Sequence, residues 1–395
     1  MTAAPEMARS RWFVLALFVV STSINYLDRA TLATVAPAVK LEFHLSDQQY
    51  GWIGSAFMFT YMLSAPFAGL LVDRIGLDRA ARAAVGLWSC AGIATGLTRG
   101  LGALAGCRAV LGFAEAAGIP AAGKAIHRYL KAPERALGNA ANQVAVSLGM
   151  VLAPPIATWI AVRSGWRAAF IVTGALGLVW IPIWAWVSRR APAALETPAE
   201  HTPLLLRDRR VWTFAVANAL SMIPYSFWTN WTTVYFVDVH RLTMRQAAWY
   251  AWIPPVFAAA GGFAGGWLSR VWMQRNVPAV SARFRVCVTA SVLALATAAI
   301  PAAPNPAWGA VGISICWFAV AAFSVNMYSL PLDVFGGSRA GFAVSILTAS
   351  AGAAGLLLPL LGHLIDLHGY APVTTIASVA PLAACALLWS TRAAR

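Results

Sequence analysis

Acidic side chains are scarce in this sequence. Fourteen Asp and Glu stand against 29 Lys and Arg in 395 residues, and charged residues together make up 11%, where a soluble domain carries about 25%. That shortage excludes a fold bathed in water over its whole surface. Cysteine is sparse as well. Cys90, Cys107, Cys287, Cys316 and Cys385 lie scattered through apolar runs with no C-x-x-C and no paired spacing, which argues against a disulfide framework and for five small buried hydrophobes. The six His show no metal-ligand spacing; His363 and His368 are five apart, off one helical face. No metal or cofactor is therefore expected. A Ser/His/Asp constellation and a phosphate-cradling Gly loop are missing too, and no polar stretch is long enough for a soluble domain. A membrane-embedded enzyme or a sensor with a signalling domain would need them, so the chain is read as neither.

What is abundant is apolar. Hydrophobic residues make up 59% and the mean hydropathy is +0.67. Stretch after stretch reaches the roughly 20 residues needed to cross a hydrocarbon core, and 18 Trp suit interfacial belts and packed bundles. Spans are expected at 12–38, 48–72, 80–98, 101–123, 138–162, 168–188, 212–237, 247–270, 284–303, 307–330, 338–365 and 372–391. Arg9 and Arg11 before an apolar run imitate a secretory leader, but the run continues through polar residues without a cleavage site and is read as the first span. Helices are the expected spanning element, because long apolar runs satisfy their own backbone and the alternation of a barrel is absent. The expected fold class is an all-α membrane protein with twelve transmembrane helices in two pseudo-symmetric six-helix bundles. The polar stretch 189–211, with Pro192, Pro198 and Pro203, is read as a cytoplasmic tether between an N-terminal bundle at 1–188 and a C-terminal bundle at 212–395.

The formal charge of +15 would suggest nucleic-acid binding in a soluble chain. Its placement argues otherwise. With the N-terminus cytoplasmic, about 21 of the 29 Lys and Arg fall in cytoplasmic segments and about 6 in outer loops, as the positive-inside rule requires. Both termini are then cytoplasmic, the expected location is a bacterial inner membrane, and the expected partners are the lipid bilayer and a small solute rather than nucleic acid. A monomer is expected.

Two faint echoes lie half a chain apart: Gly149 to Pro154-Pro155 against Gly355 to Pro359, and Gly69 to Arg74 against Gly265 to Arg270. Internal repeats of this kind mark transporters. In the loop Gly69-x-Leu71-x-Asp73-Arg74-x-Gly76, glycines permit close helix approach and sharp turning while Asp73 and Arg74 can lock helix ends. Gly69, Asp73, Arg74 and Gly76 are read as gating residues.

The charges inside spans are the sharper signal. Asp28 and Arg29 lie two-thirds along the first span, and Arg108 and Glu115 lie within the fourth. An intramembrane charge costs at least roughly 2.5–3.5 kcal/mol, so it faces a bundle interior or a wet cavity. Arg108 and Glu115 share one helix face about 10.5 Å apart along the axis, and Asp28 and Arg29 point about 100° apart. The simplest arrangement sets Asp28 near Arg108 and turns Arg29 and Glu115 toward a central cavity. A carboxylate there can carry a proton, and the guanidinium fork matches a substrate carboxylate. Asp28, Glu115 and Arg108 are expected to couple protons and Arg29 to bind an organic anion, protons being the coupling ion. Tyr26, Tyr61, Asn142 and Gln143, with Trp231, Asn326, Tyr328 and Thr348 from the second half, are candidate pocket residues. Helix–helix hydrogen bonding is an equally open role for each. Asp333 is read as a helix-end group.

These residues resemble the anion:cation symporter family of the major facilitator superfamily. The resemblance is carried by Asn25-Tyr26-Leu27-Asp28-Arg29-Ala30-Thr31-Leu32, by the Arg108-to-Glu115 run with Ala116-Ala117-Gly118-Ile119-Pro120, and by Gly165-Trp166-Arg167-Ala168-Ala169-Phe170. Ala251-Trp252-Ile253-Pro254 and Leu332-Asp333-Val334-Phe335-Gly336 resemble the bacterial hexuronate and sugar-acid:proton symporters among its members. The resemblance implies the facilitator fold and alternating-access import of a hexuronate or related sugar acid with protons. It also implies proton coupling at Asp28 and Glu115, substrate binding by Arg29, and pocket positions at Tyr26 and Tyr61. Gln143 and Thr348 stand where relatives carry Asn, which leaves the sugar open. The alternative is a drug or metabolite:proton antiporter of the same superfamily; Ala153-Pro154-Pro155 stands where such exporters carry a Gly-Pro pair.

Overall fold

A long apolar segment can satisfy its backbone internally only as a helix, and among the described residues the chain forms helices and no strand. The computed structural model describes residues 3–131, 134–192, 207–335 and 337–393. The elements in order are α1 (Ala3–Phe43), α2 (Asp47–Ile75), α3 (Leu77–Gly96), α4 (Leu101–Glu115), α5 (Gly118–Tyr129), α6 (Arg135–Ser164), α7 (Trp166–Ser188), α8 (Arg209–Asp238), α9 (Met244–Ala251), α10 (Ile253–Gln274) and α11 (Ala279–Ala294). After a 3-10 segment at Leu295–Ala302 come α12 (Pro306–Phe335), α13 (Gly337–Gly355), α14 (Leu358–His368) and α15 (Tyr370–Ala393). Residues 193–206 of the expected tether lie outside the described residues.

Nine of these stretches are long and apolar enough to cross a membrane. The expected spans at 80–98, 212–237 and 247–270 are helical too, but α3 opens on Asp78, Arg79 and Arg82, α8 is rich in Ser, Thr and Asn, and α9 and α10 part at Trp252. Besides the span parted at Trp252, two more expected spans are interrupted. The fourth breaks at Ala116–Ala117, directly after Glu115, and the eleventh at 356–357, where Pro359 near the start of α14 has no amide to give the preceding turn. Pro154 and Pro155, their expected counterpart, leave α6 unbroken.

A repeat runs through the turns. Gly76 between α2 and α3 (φ +83°), Gly165 between α6 and α7 (φ +83°) and Gly369 between α14 and α15 (φ +72°) adopt the left-handed conformation that glycine takes without strain. Asn276 before α11 takes the same region at φ 60°. A second echo is longer. His44 (φ 51°) precedes Leu45 and the Ser46–Gln49 capping box that starts α2. Arg241 (φ 55°) precedes Leu242 and the Thr243–Gln246 capping box that starts α9. In each box the hydroxyl accepts from a backbone amide and the Gln side chain answers, so two bare helix starts are built alike.

The packing follows the sequence order. α1 lies against α6 and α7, α3 against α7 and α4, and α2 against α4; later in the chain, α10 and α11 lie against α12, and α8 against α15 and α13. Between these sets, α2 meets α13 and α14, and α1 meets α8. Many large apolar side chains are exposed, Phe67, Phe263, Trp159 and Trp267 among them, as suits a surface facing lipid. Cys287, Cys316 and Cys385 are buried as expected; Cys90 is instead exposed, on an outward face of α3.

Candidate functional site

Arg29 leaves α1 two-thirds along its length and reaches across to α4. Its Nε and Nη2 both donate to Glu115 Oε2, at 2.9 and 2.7 Å. The Glu115 side chain is fully buried, and that of Arg29 is 19% exposed. Three aromatic rings box the guanidinium, with centroids 4.7 Å (Tyr26), 4.9 Å (Phe57) and 5.1 Å (Tyr61) from its carbon. Rings placed so attract a cation and shield it. As expected, Asp28 and Arg108 lie within electrostatic reach of each other, and Arg29 and Glu115 both line the cavity described below; not foreseen is that Arg29 and Glu115 bond to each other there. One residue along a helix is a turn of about 100°, so Arg29 faces the end of α4 while Asp28 faces α7, beside Thr173.

The other two charges are left with little. Both oxygens of the buried Asp28 lack a hydrogen-bond partner, as does Arg108 Nε. Arg108 Nη2 donates a long bond of 3.4 Å to the Arg29 carbonyl, and its guanidinium sits 5.9 Å from the Phe170 ring. Burial without a partner is costly for a carboxylate and tolerable for a carboxylic acid. Asp28, Glu115 and Arg108 lie within electrostatic reach of one another. Two acids and two guanidinium groups therefore share one buried region in which only one ion pair is made.

Beside this pair lies a cavity of about 540 Å³, its open mouth included, lined by Asn25, Tyr26, Arg29, Tyr61, Glu115 and Asn142 among others. Thr22 donates to Asn142 Oδ1 at 2.9 Å across the α1–α6 contact. Tyr328 of α12 comes within electrostatic reach of Tyr26 and Tyr61, and beside Thr348. Tyr225 of α8 approaches from the same side, its hydroxyl 3.6 Å from Met150 Sδ. The expected residues Tyr26, Arg29, Tyr61 and Asn142 are thus brought together, with Tyr328 facing them from the second half.

Others are placed elsewhere. Gln143 is exposed and does not line the cavity. Asn326 is a buried staple, its Nδ2 donating to the Gly265 carbonyl at 3.1 Å and the Ala322 carbonyl at 2.9 Å. Thr348 donates to the Val344 carbonyl of its own helix. In the α2–α3 loop, Gly76 makes the turn and Arg74 is exposed, while Gly69 has no tight neighbour. The side chain of Asp73 lies outside the described residues. Asp333 pairs with Arg283 at the ends of α12 and α11, a helix-end role as expected.

Trp231 belongs to a different structure, a seam at the α1–α2 end of the molecule. Its Nε1 donates to Asp47 Oδ1 at 2.7 Å. Lys40 Nζ lies 2.7 Å from the same oxygen and 3.7 Å from Asp238. The backbone amides of Asp47 and Gln48 donate to the two oxygens of Asp366, at 2.8 and 2.9 Å, so a carboxylate from α14 seats on the amino end of α2, where the helix dipole favours negative charge. Tyr50 donates to the Asn230 carbonyl. Gly362 permits the approach: a Cβ there would meet the Asp47 carbonyl at 2.2 Å. None of Lys40, Asp47 or Asp366 stood out in the sequence, because a charge at a helix end reads as solvated. Asp366→Asn should loosen this seam. Spin labels at Leu41 and Leu367, both exposed on either side of it, are expected to gain a second, longer distance population; an unchanged single distance would show that these bonds do not hold the seam.

The match to known proteins now decides the family. Residues 18–358 match the model of the Major Facilitator Superfamily. The chain belongs to that superfamily. It is a membrane transporter and not an enzyme. Among its superfamily relatives, the chain is similar to the hexuronate transporter of Escherichia coli (strain K12), at 29% identity over 404 residues that cover 96% of this chain and 93% of the relative. It is also similar to the galacturonate transporter of Dickeya chrysanthemi, at 29% identity over 67% of this chain and 83% of the relative. Its superfamily fold superposes, with a TM-score of 0.82 at 19% identity and coverage of 97% and 96%, on a bacterial homologue of the human lysosomal transporter Spinster in an inward-facing and occupied conformation.

Proposed function

We propose that this transporter imports an organic acid anion, a hexuronate or a related sugar acid, by proton symport through alternating access. The observation that carries the reading is the Arg29–Glu115 pair, buried in an aromatic box at the cavity with a partnerless acid, Asp28, close by. The similarity to hexuronate and galacturonate transporters supports the substrate class. In this reading the chain makes twelve spans in two six-helix bundles, 1–188 and 212–395, joined by a cytoplasmic tether at 189–211. It lies in a bacterial inner membrane with both termini inside, and the fastened α1–α2 end faces outward.

Coupling is a competition for Arg29. While Glu115 is ionised it occupies the Arg29 fork, and an incoming carboxylate finds no free donor. A proton on Glu115 dissolves the ion pair, and Arg29 then takes the substrate carboxylate in its place. The charge beside Arg29 stays balanced in both states, so proton and anion enter together. Asp28 is a second proton position, and Arg108 keeps the shared region near neutrality. Tyr26, Tyr61 and Asn142 orient the hydroxyl-bearing body, with Tyr328 closing on it as the halves rock about the site.

Purified protein in liposomes, with an acidic exterior and a panel of sugar acids and aromatic acids, tests this reading. Each coupled proton allows up to about tenfold accumulation per pH unit, since about 1.4 kcal/mol is a factor of ten. The expected result is accumulation of a sugar acid that a protonophore abolishes. Uptake that ignores the proton gradient, or none across the panel, would overturn the proposal.

A further inference from the structure

Hydrogen bonds behind the second half's wall fix which way one substrate contact can run. Tyr328 of α12 faces the first half's Tyr26 and Tyr61, and its hydroxyl lies beside Thr348 of α13 and Asn218 of α8. Asn218 did not stand out in the sequence, since a lone amide in a span reads as helix packing. It is 0% exposed. Its Nδ2 donates to the Leu347 carbonyl at 2.9 Å and to Ser350 Oγ at 3.2 Å. Ser350 spends its own hydrogen on the same carbonyl, at 2.8 Å. Both amide hydrogens of Asn218 are therefore taken up by α13. The amide cannot be turned over, because its oxygen would then face the Leu347 carbonyl, which only accepts.

This leaves Asn218 Oδ1 buried and without a partner. Buried polar atoms are nearly always hydrogen-bonded, and an amide oxygen is satisfied only by a donor. Thr348 is not that donor, for its hydroxyl gives its hydrogen to the Val344 carbonyl of its own helix at 3.1 Å. The Tyr328 hydroxyl is the donor beside it. A phenol has one hydrogen. Once that hydrogen is turned to Asn218, only lone pairs remain for a ligand.

We infer that Tyr328 meets the substrate solely as a hydrogen-bond acceptor, with Asn218 as the positioning residue that fixes this polarity, so that the site selects a solute bringing a hydroxyl to that point. The inference rests on the proposed transport of a sugar acid and names what that acid must carry. Arg29 holds the carboxylate from the first half. Tyr328 comes from the second half, so the hydroxyl it accepts from belongs to the body of the acid. A ketone, an ether oxygen or a second carboxylate placed there sets acceptor against acceptor and is refused. The substrate then has one way round, carboxylate to Arg29 and hydroxyl to Tyr328.

Binding to the purified whole protein tests it. The probes are D-galacturonate and D-glucuronate, with analogues in which one hydroxyl at a time is replaced by hydrogen or by fluorine, which accepts weakly and cannot donate. At one carbon, hydrogen should weaken binding about tenfold, the worth of one neutral hydrogen bond, and fluorine should recover none of it. In Tyr328→Phe, hydroxyl, hydrogen and fluorine at that carbon should bind within about twofold of one another, as a broken pairwise contact requires. Asn218→Leu frees the Tyr328 hydrogen, and fluorine there should then bind better than hydrogen, a reversal that mere loosening of the fold would not produce. Should that variant fail to fold, the first two comparisons still decide. Fluorine analogues that match the parent acid at every carbon overturn the inference, as does an analogue pattern left unchanged by Tyr328→Phe. If the pattern holds while accumulation ignores the proton gradient, coupling falls and the polarity of Tyr328 stands; if accumulation follows the gradient and the pattern is missing, only the polarity falls.

Discussion

Glu115→Gln is expected to exchange substrate across a liposome membrane at close to the parent rate and to lose accumulation driven by a pH gradient altogether. Gln has nearly the shape of a protonated Glu and holds no ionisable proton. It leaves Arg29 permanently released from its ion pair with Glu115 Oε2, the state in which substrate binds. The freed guanidinium is still tolerated, because Tyr26, Phe57 and Tyr61 surround it within about 5 Å and cation–π contacts contribute about 0.5–2 kcal/mol each. The pH dependence of binding separates this account from a merely structural role. In the parent, the ionised carboxylate competes with substrate for Arg29, so affinity falls as pH rises. In the variant no competitor forms, and affinity is flat with pH. Binding measured at pH 5.5 and pH 8 checks the sign. Persistent accumulation in the variant would remove Glu115 from coupling.

The fold was legible because hydrocarbon leaves a chain few choices. Runs of about 20 apolar residues must be helices, and the cost of a buried charge picks out Asp28, Arg29, Arg108 and Glu115 without any structure. Who pairs with whom was not legible. Adjacent residues on α1 point about 100° apart, but which of them meets α4 depends on the rotation of α1 within the bundle, which packing with α6 and α7 decides. The same limit explains Trp231 and Asn326. An indole or amide in a membrane helix needs a hydrogen-bond partner, and sequence does not tell a ligand from Asp47 or from the Gly265 carbonyl. The Leu45-Ser46-x-x-Gln49 and Leu242-Thr243-x-x-Gln246 starts were a readable signal of the repeat, since each spells a capping box. They reveal more than the glycine and proline echoes, whose structures differ: α6 is continuous where α13 and α14 part. Asp47 and Asp366 were hidden for a different reason. An acid at a helix end is ordinarily solvated, and only the close approach at Gly362 brings the two ends together.

Arg29→Lys is expected to weaken substrate binding about 100-fold, and Arg29→Ala to bring it below detection. The guanidinium presents two donors at once, as its Nε and Nη2 already do to Glu115; an ammonium offers no such planar fork. A hydrogen bond to a charged group contributes about 1.5–3 kcal/mol, and 2.7 kcal/mol corresponds to about 100-fold in affinity. Arg29→Ala is the less clean experiment. It leaves Glu115 buried without its cation, and breaking a buried pair from one side costs about 3–5 kcal/mol of stability. Arg29→Lys keeps the charge, so its melting temperature should stay near the parent's while affinity falls. An uncharged lactone of the same sugar acid supplies the control. It has no carboxylate for Arg29 to hold, so its binding, weak in the parent, should change little in Arg29→Lys. Full affinity for the acid in that variant, or equal losses for acid and lactone, would mean that Arg29 serves only to pair with Glu115 and does not touch the substrate's carboxylate.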